Sequence, residues 1–289
     1  MRQLCFFPVL LFLLVSCNSE RPQMEPSANT SALPIRIKGS ETMKPLMTGL
    51  LEKFGEKTMQ SPVMYDATGS NAAVLAFERD EADLIALSRA LTEEEKTRLG
   101  KNGDLDIVLI GYDGLDILVN RSNKVNRLTL MQLRNIYTGK ITSWDEVGGE
   151  HYPIKAYSRD ANSGTFDFFK NHVLDSLNYR PDDVNCNSNE AIIAGVKNDP
   201  QGIGYAGTGF NIKEVKPLEL SGDDGKTWYD SRKQNIRNQV YPITRPYYIA
   251  YYSRNKEKLS PLVSFILSSE GQKQVEALGF IAAYSSDIE

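Results

Sequence analysis

The stretch RDANSGTFDFF, residues 159–169, places a cation, two hydroxyls and a glycine directly before a run of aromatic residues. It follows a predicted strand, PIKAYS at 153–158, and the aromatic run predicts a helix. The first N–H groups of a helix have no partner within it, and the helix dipole makes that end positive. Glycine permits close backbone approach, hydroxyls donate neutral hydrogen bonds, and arginine adds a charged donor. The stretch is therefore predicted to form half of an anion-binding site.

The same arrangement occurs at two other predicted strand-to-helix turns, GSET at 39–42 and TGSN at 68–71. Each turn taken alone is explained most simply as a helix N-cap, because Ser and Thr are the usual capping residues. Three turns with the same donors indicate convergence, since open α/β sheets bind ligands at the carboxyl ends of their strands. Arg89, in ALSRAL after a third strand, is a further candidate cation, although Arg159 and Arg89, each taken singly, are explained more simply as surface ion pairs.

Strand and helix patterns alternate from residue 35 onward, which predicts an α/β fold with mostly parallel sheets. TEEEKTRL at 92–99 and TLMQLRNIYTG at 129–139 each open with a capping box, so helices are expected there. DIVLIGYDGLDILVN at 106–120 contains two strand-like runs around Asp113 and Gly114. Ser260 and Pro261 are expected to start a helix near the carboxyl terminus.

The first residues are typical of an exported protein. An apolar run of about 12 residues, from Leu4 to Val15, is too short to span a bilayer, which takes roughly 20, and indicates a signal peptide over 1–16. The run ends in LVSC, which resembles a bacterial lipobox, so Cys17 is expected to be lipidated; an ordinary signal peptide with a chance cysteine is the alternative. Residues 17–34 are polar and proline-rich, as in a flexible tether.

Composition excludes several functional classes. The 289-residue chain carries 33 basic and 37 acidic residues, a net charge of −4, which gives no general attraction to nucleic acid. Its two histidines, His151 and His172, lie in polar surroundings, and G-x-S-x-G and H-E-x-x-H motifs are absent, which argues against an enzyme and a metal site. Cys186 is left without a partner for a disulfide. We expect no cofactor.

The sequence also resembles a known family, the phosphate-binding proteins of ABC transporters, a branch of the type II periplasmic binding proteins. The resemblance covers nearly all of residues 35–289, and the segments that carry it are IRIKGSETMKPL, LTLMQLRNIYTGKITSWDEVGG, YSRDANSGTFDFF, GIGYAG, YPITRPYYI and LSSEGQKQVEALGF. It implies two α/β lobes joined by two crossover strands and closing on one anion. The first lobe is expected at 35–112 and 247–289, and the second at 113–246.

The resemblance also implies which residues bind the anion. The principal positions are Thr42, Ser70, Arg159, Ser163, Gly164 and Thr165; Gly69 belongs to the same turn as Ser70, and Ser40, Ser88 and Arg89 are weaker matches. Arg89 stands where some members of the family have an aspartate that accepts the proton of hydrogen phosphate, although a branch with Ser-Arg exists. Glu41 is a candidate for that acceptor, and the alternative is a favourable charge in a first helical turn.

The resemblance implies a lipid-anchored extracytoplasmic receptor that passes phosphate to an ABC permease, and we expect a monomer. Two alternatives remain open at this point. The same fold could bind sulfate, molybdate or tungstate. A surface lipoprotein that senses phosphate or docks another protein would also fit the sequence.

Overall fold

The computed structural model describes residues 34–58 and 63–284. The predicted signal peptide, Cys17 and all of the tether before Pro34 lie outside the described residues. Among the described residues, no helix is both long enough and apolar enough to cross a membrane.

The described chain alternates strands and helices, so the predicted α/β class is confirmed. The strands are β1 Ile37–Gly39, β2 Tyr65–Asp66, β3 Leu84–Leu87, β4 Leu105–Val119, β5 Arg127–Thr129, β6 Lys155–Arg159, β7 Val184–Cys186, β8 Gly202–Gly207, β9 Lys216–Pro217, β10 Glu219–Ser221, β11 Thr244–Tyr252 and β12 Ile281–Ala282. The helices are α1 Lys44–Thr58, α2 Ser70–Glu78, α3 Glu93–Gly100, α4 Leu130–Tyr137, α5 Gly164–His172, α6 Asn189–Asn198, α7 Lys233–Arg237, α8 Lys256–Leu267 and α9 Ser269–Ala277. Short 3-10 helices lie at Glu41–Met43, Trp144–Val147 and Ser253–Asn255.

The main sheet has the strand order β2-β1-β3-β11-β4-β8-β6-β7 and is mixed. Its outer pairs are parallel, as predicted: β1 with β2 and β3, and β6 with β7 and β8. Its central pairs, β11 with β3 and β4, and β4 with β8, are antiparallel. The central strands therefore join two parallel groups of strands. The carboxyl ends of both groups lie near the middle of β4.

The segment around Asp113 and Gly114, predicted as two strands, is one continuous strand, β4. Its first half pairs with β11 and its second half, from Leu115, pairs with β8. Gly114 makes no turn. A Cβ added there would lie 2.7 Å from Cδ1 of Ile236, so close packing accounts for the glycine.

The apolar core follows the same division. One buried cluster is built from residues between 115 and 243 together with Ile281. Two others are built from residues between 37 and 110 and between 247 and 280. The lobe boundaries stay a prediction, with β4 and β11 as the strands that pass from one group to the other.

Local capping signals predicted two helix starts correctly and one wrongly. The capping boxes of Thr92 with Glu95 and of Thr129 with Gln132 are both formed. The start predicted at Ser260 and Pro261 is wrong, because α8 begins at Lys256 and continues through the proline. Apolar side chains on both sides of Pro261 are buried, and their packing outweighs the intrinsic preference of proline.

Candidate functional site

Three strand ends bring the predicted serines together. Backbone bonds from Ser40 N to Ala86 O and from Gly69 N to Gly39 O, both 2.8 Å, tie the turns after β1, β2 and β3 to one another. Ser40 Oγ donates to Ser88 Oγ at 2.9 Å, and Ser70 Oγ lies 3.4 Å from Ser88 Oγ. All three side chains are buried. We call Ser40, Ser70 and Ser88 the serine trio.

Two threonines from opposite halves of the chain form a second hydroxyl group. Thr42 Oγ1 and Thr165 Oγ1 are 2.9 Å apart, and both side chains are buried. Asn189 Nδ2 donates to Thr42 Oγ1 at 3.1 Å. We call Thr42 and Thr165 the threonine pair; it joins the end of β1 to the start of α5.

Capping explains only one of the three turns. Ser163 is the N-cap of α5 and accepts a bond from Thr165 N at 3.1 Å. Ser40 precedes the 3-10 helix at Glu41–Met43 without a side-chain capping bond, and Ser70 lies inside α2 as its first residue. The hydroxyls of Ser40 and Ser70 are therefore directed to other hydroxyls rather than to their own helices.

Two glycines allow the turns to approach each other. A Cβ on Gly164 would lie 2.5 Å from Ser70 Cβ and 3.1 Å from Ser88 Oγ, so the start of α5 rests on the serine trio. Gly69 has a φ of 95°, a conformation that side chains disfavour, and a Cβ there would lie 2.5 Å from Asn162 O. Both positions require glycine for this close contact.

Arg159 ends β6, shortly before α5, and its side chain is 2% exposed. Its Nη1 donates to Glu41 Oε2 at 2.7 Å, and its Nη2 donates to Asn187 O at 2.9 Å. Among the described residues, its buried Nε has no hydrogen-bond partner. A buried N–H without a partner is costly, so this atom indicates where an additional acceptor would bind.

Glu41 is half-buried and accepts hydrogen bonds from Asn189 as well as from Arg159. Its Oε2 also accepts from the side-chain amide of Asn189 at 2.6 Å and from the Asn189 backbone N–H at 3.3 Å. Burial raises the pKa of Glu41, Arg159 opposes that shift, and the neighbouring Glu190 adds to it. Glu41 thus pairs the two halves of the site, in addition to lying in a first helical turn as the alternative interpretation held.

Arg89 is engaged elsewhere. Its guanidinium makes paired bonds of 2.7 Å to the two carboxylate oxygens of Glu95, and further bonds to Asn71 Oδ1 and Ala90 O. These bonds use each of its three nitrogens. The surface-ion-pair alternative was closer to the observed arrangement, except that the pair is largely buried, and we leave the Arg89 side chain out of the proposed anion contacts.

Three residues that contact the threonine pair or support it, Arg245, Asp113 and Asn189, were not predicted from the sequence as part of the site. Arg245 donates to Thr165 Oγ1 at 2.7 Å and forms a buried ion pair with Asp113. Asn189 bonds to Thr42 and Glu41, and its Oδ1 accepts from Gly207 N at 3.2 Å. The available signal was the charge of Asp113 and Arg245 within strongly apolar strand patterns, because buried charges are usually paired.

The reactive side chains of an enzyme are not assembled at these hydroxyls in the described part of the chain. His151 lies at the surface, where hydrogen bonding to Asp145 raises its pKa. His172 contacts Pro242 O and, among the described residues, makes no hydrogen bond to the serine trio or the threonine pair. Burial raises the pKa of the Cys186 thiol, which keeps it protonated. The site is one of donors converging from two halves of an α/β fold, the arrangement of a binding protein for a small anion.

Comparison with known proteins agrees with this class. The profile of the PBP superfamily domain matches residues 25–270. The chain is 34% identical over 261 residues to the phosphate-binding protein PstS of Staphylococcus saprophyticus, covering 86% of this chain and 80% of the relative. It therefore belongs to the PBP superfamily and, within it, to the family of PstS phosphate-binding proteins.

Solved structures give the same result. A putative phosphate ABC transporter substrate-binding protein from Clostridium perfringens, with bound phosphate, superposes with a TM-score of 0.78 at 29% identity, covering 87% of this chain and all of that one. An ABC-type phosphate transport receptor from Vibrio cholerae gives a TM-score of 0.71 at 30% identity, covering 86% and 99%. The expected family and fold are thus confirmed.

Proposed function

We propose that this protein binds inorganic phosphate between its two lobes. The single observation that carries the proposal is the convergence of five buried hydroxyls, those of the serine trio and the threonine pair, on the amino-terminal ends of two helices. Hydroxyl donors, helix N-termini and one arginine together favour a small oxyanion. The proposed ligand contacts are Ser40, Thr42, Gly69, Ser70, Ser88, Arg159, Ser163, Gly164 and Thr165, with Glu41 as the acidic group of the site.

Phosphate is favoured over other oxyanions by the acidic group and by the relatives. Near pH 7 phosphate carries at least one O–H, whereas sulfate carries none. A carboxylate accepts a bond from that O–H but repels an anion that has no proton to donate. Glu41 and Thr42 of the threonine pair both accept from the Asn189 side-chain amide, and the PstS relatives are named for phosphate binding. Sulfate, molybdate and tungstate are the rival ligands.

The proposed role is delivery rather than chemistry. A receptor of an ABC transporter closes around its ligand and presents it to a permease in the membrane, and the transport receptors among the similar structures support that role here. The protein would work outside the cytoplasm, as a monomer, held at the membrane by lipid on Cys17. A phosphate sensor without a permease would use the same site.

Calorimetric titration of the full chain in mild detergent tests the proposal. Carried-over ligand is first removed, and phosphate is then added to the wild type and to Arg159→Ala. We expect tight binding by the wild type and a loss of at least about tenfold in Arg159→Ala, because a charge-assisted hydrogen bond contributes roughly 1.5 to 3 kcal/mol.

Arg180→Ala is the matched control, since Arg180 is also a mostly buried arginine but pairs with Asp182. This variant is expected to bind phosphate like the wild type. Absence of phosphate binding by the stripped wild type would contradict the proposal. Binding of sulfate in its place would move the function to another oxyanion.

A further inference from the structure

A second arginine, Arg245, lies behind the threonine pair and is completely buried. Its Nε donates to Asp113 Oδ1 at 2.6 Å, and its Nη2 donates to Asp113 Oδ2 at 2.9 Å. The third nitrogen, Nη1, donates to Thr165 Oγ1 at 2.7 Å. Thr165 is thus linked to the Arg245–Asp113 ion pair, which lies outside the three glycine-serine turns.

The ion pair lies on the two crossover strands. Arg245 in β11 and Asp113 in β4 are direct partners in the antiparallel register. The Tyr247 hydroxyl donates to Asp113 Oδ2 at 2.5 Å, so the carboxylate is held by three bonds. Paired bonds to one carboxylate fix the plane of a guanidinium, and they therefore fix the direction in which Nη1 donates.

This direction determines how the threonine hydroxyls are oriented. A guanidinium only donates, so Thr165 Oγ1 must accept from Arg245. The Asn189 side chain is oriented by Gly207 N–H, which donates to its Oδ1, so its Nδ2 must donate to Thr42 Oγ1. Each threonine hydroxyl therefore accepts one bond and has one proton to donate. Only one of those protons can serve the bond between Thr42 and Thr165, and the other is left to offer to a ligand.

We propose that Arg245 is a positioning residue for the anion: held by Asp113, it orients the threonine pair so that a hydroxyl proton points at the ligand. The inference rests on the proposed function. Asp113 balances the charge of Arg245, so the effect is on orientation rather than on the net charge of the site. It also makes the geometry of the crossover strands part of the anion-binding site.

A purely structural role for the ion pair predicts something different. If the pair only held β4 to β11, its removal would weaken phosphate binding to the same degree with or without the Thr165 hydroxyl. If Arg245 acts through that hydroxyl, the two losses are coupled. Double-mutant cycles measure such coupling directly.

The experiment titrates four full-chain proteins with inorganic phosphate: wild type, Thr165→Val, the neutral pair Asp113→Asn with Arg245→Met, and the triple variant. Replacing both charges avoids leaving one of them buried and unpaired. We expect Thr165→Val and the neutral pair each to weaken binding by about tenfold, as for one hydrogen bond to a charged group. The triple variant should bind no more than about twofold more weakly than Thr165→Val alone.

Losses that multiply to about 100-fold in the triple variant would overturn the inference, as would wild-type affinity in the neutral pair. Failure of the wild type to bind phosphate would overturn the proposed function and this inference with it. Asp182→Asn with Arg180→Met is the matched control and should bind like the wild type. Should the neutral pair fail to fold, Arg245→Lys serves instead: one ammonium group cannot reproduce the three directed bonds, and unchanged affinity in that variant would also overturn the inference.

Discussion

At the scale of single residues, Glu41 is unusual because it places a carboxylate beside a site proposed for an anion. Its Oε2 is held by Arg159 and Asn189. Among the described residues, its Oε1 accepts no hydrogen bond from a protein donor, so this oxygen is free to accept from a ligand. A proton-bearing oxyanion satisfies it, whereas an anion without a proton is repelled.

Exchanging Glu41 for glutamine should change selectivity. In Glu41→Gln the amide oxygen must stay at Arg159 and Asn189, since these groups donate. The amide nitrogen then takes the place of Oε1, which turns an acceptor into a donor. We expect the preference for phosphate over sulfate to fall by about fivefold or more, as measured by titration with each anion at pH 7, because an unmatched donor or acceptor costs roughly 1 to 3 kcal/mol.

Glu94→Gln is the matched control for this prediction. Glu94 is an exposed carboxylate in the first turn of α3, and it is not among the proposed ligand contacts. Its exchange should leave the preference unaltered. If Glu41→Gln instead weakens the affinities for phosphate and sulfate equally, Glu41 only positions Arg159 and does not contact the ligand.

The two arginines outside the opening motif show what sequence reasoning can and cannot find at this scale. Arg89 was a candidate because it follows a strand end, but it forms an ion pair with Glu95, only six residues away. The Thr92 capping box, visible in the sequence, places Glu95 at the start of α3 but does not say which cation it meets. Arg245 was missed because its partner Asp113 lies 132 residues earlier, and such a pairing depends on the strand register.

At the scale of elements, the contact between the start of α5 and the serine trio depends on the missing side chain of Gly164. Gly164→Ala would place a Cβ within 2.5 Å of Ser70 Cβ. Alanine is no worse than glycine inside a helix, so α5 itself should keep its stability. The two halves could relieve the clash only by moving apart, which would separate the proposed ligand contacts.

We therefore expect Gly164→Ala to lose at least about tenfold in phosphate affinity, which is a loss of about 1.4 kcal/mol in binding free energy. Its thermal unfolding midpoint should stay near that of the wild type. Titration and thermal unfolding are measured on the same samples. Gly100→Ala is the control, because a Cβ there would meet nothing within 4 Å. Unchanged affinity in Gly164→Ala would show that this contact is not part of ligand binding.

Among the elements of the fold, some were predictable from local sequence and others were not. The turns after β1, β2 and β6 were predictable, since glycine and hydroxyl residues mark strand-to-helix turns locally. The continuity of β4 was not, because Asp113 and Gly114 read as a turn when their partners on β11 and β8 are unknown. The start of α8 was misplaced at Pro261 for a related reason: tertiary burial, which a local signal does not contain, decided it.

At the scale of the whole molecule, β4 and β11 connect the two halves, and β4 carries a buried ionisable group that the proposed binding does not use. Asp116 lies on β4, three residues beyond Asp113, and is 2% exposed. Among the described residues, its Oδ1 has no hydrogen-bond partner. Burial raises its pKa to about 7, Ser231 partly opposes the shift, and Asp113 and Asp230 add to it.

The raised pKa makes a prediction about stability. The folded protein holds the Asp116 proton up to about pH 7, whereas the unfolded chain releases it near the ordinary value of 3.8. The folded state thus binds more protons between these values, so this group's contribution to stability is full at low pH and falls as pH rises toward 7. Between pH 5 and pH 8 the loss is on the order of 2 to 3 kcal/mol, from about 1.4 kcal/mol for each pKa unit.

Asp116→Asn removes this titration, because the amide keeps the shape of the acid without the charge. We expect the variant to be more stable than the wild type at both pH values, because the wild type loses this contribution from pH 3.8 upward, and we expect its advantage to grow by an amount of that order between pH 5 and pH 8. Urea unfolding at both pH values measures the difference, and the exposed Asp104→Asn serves as the control for loss of one negative charge. A stability difference that does not change between pH 5 and pH 8 would mean that Asp116 keeps an ordinary pKa, with its charge compensated where it lies on the crossover strand.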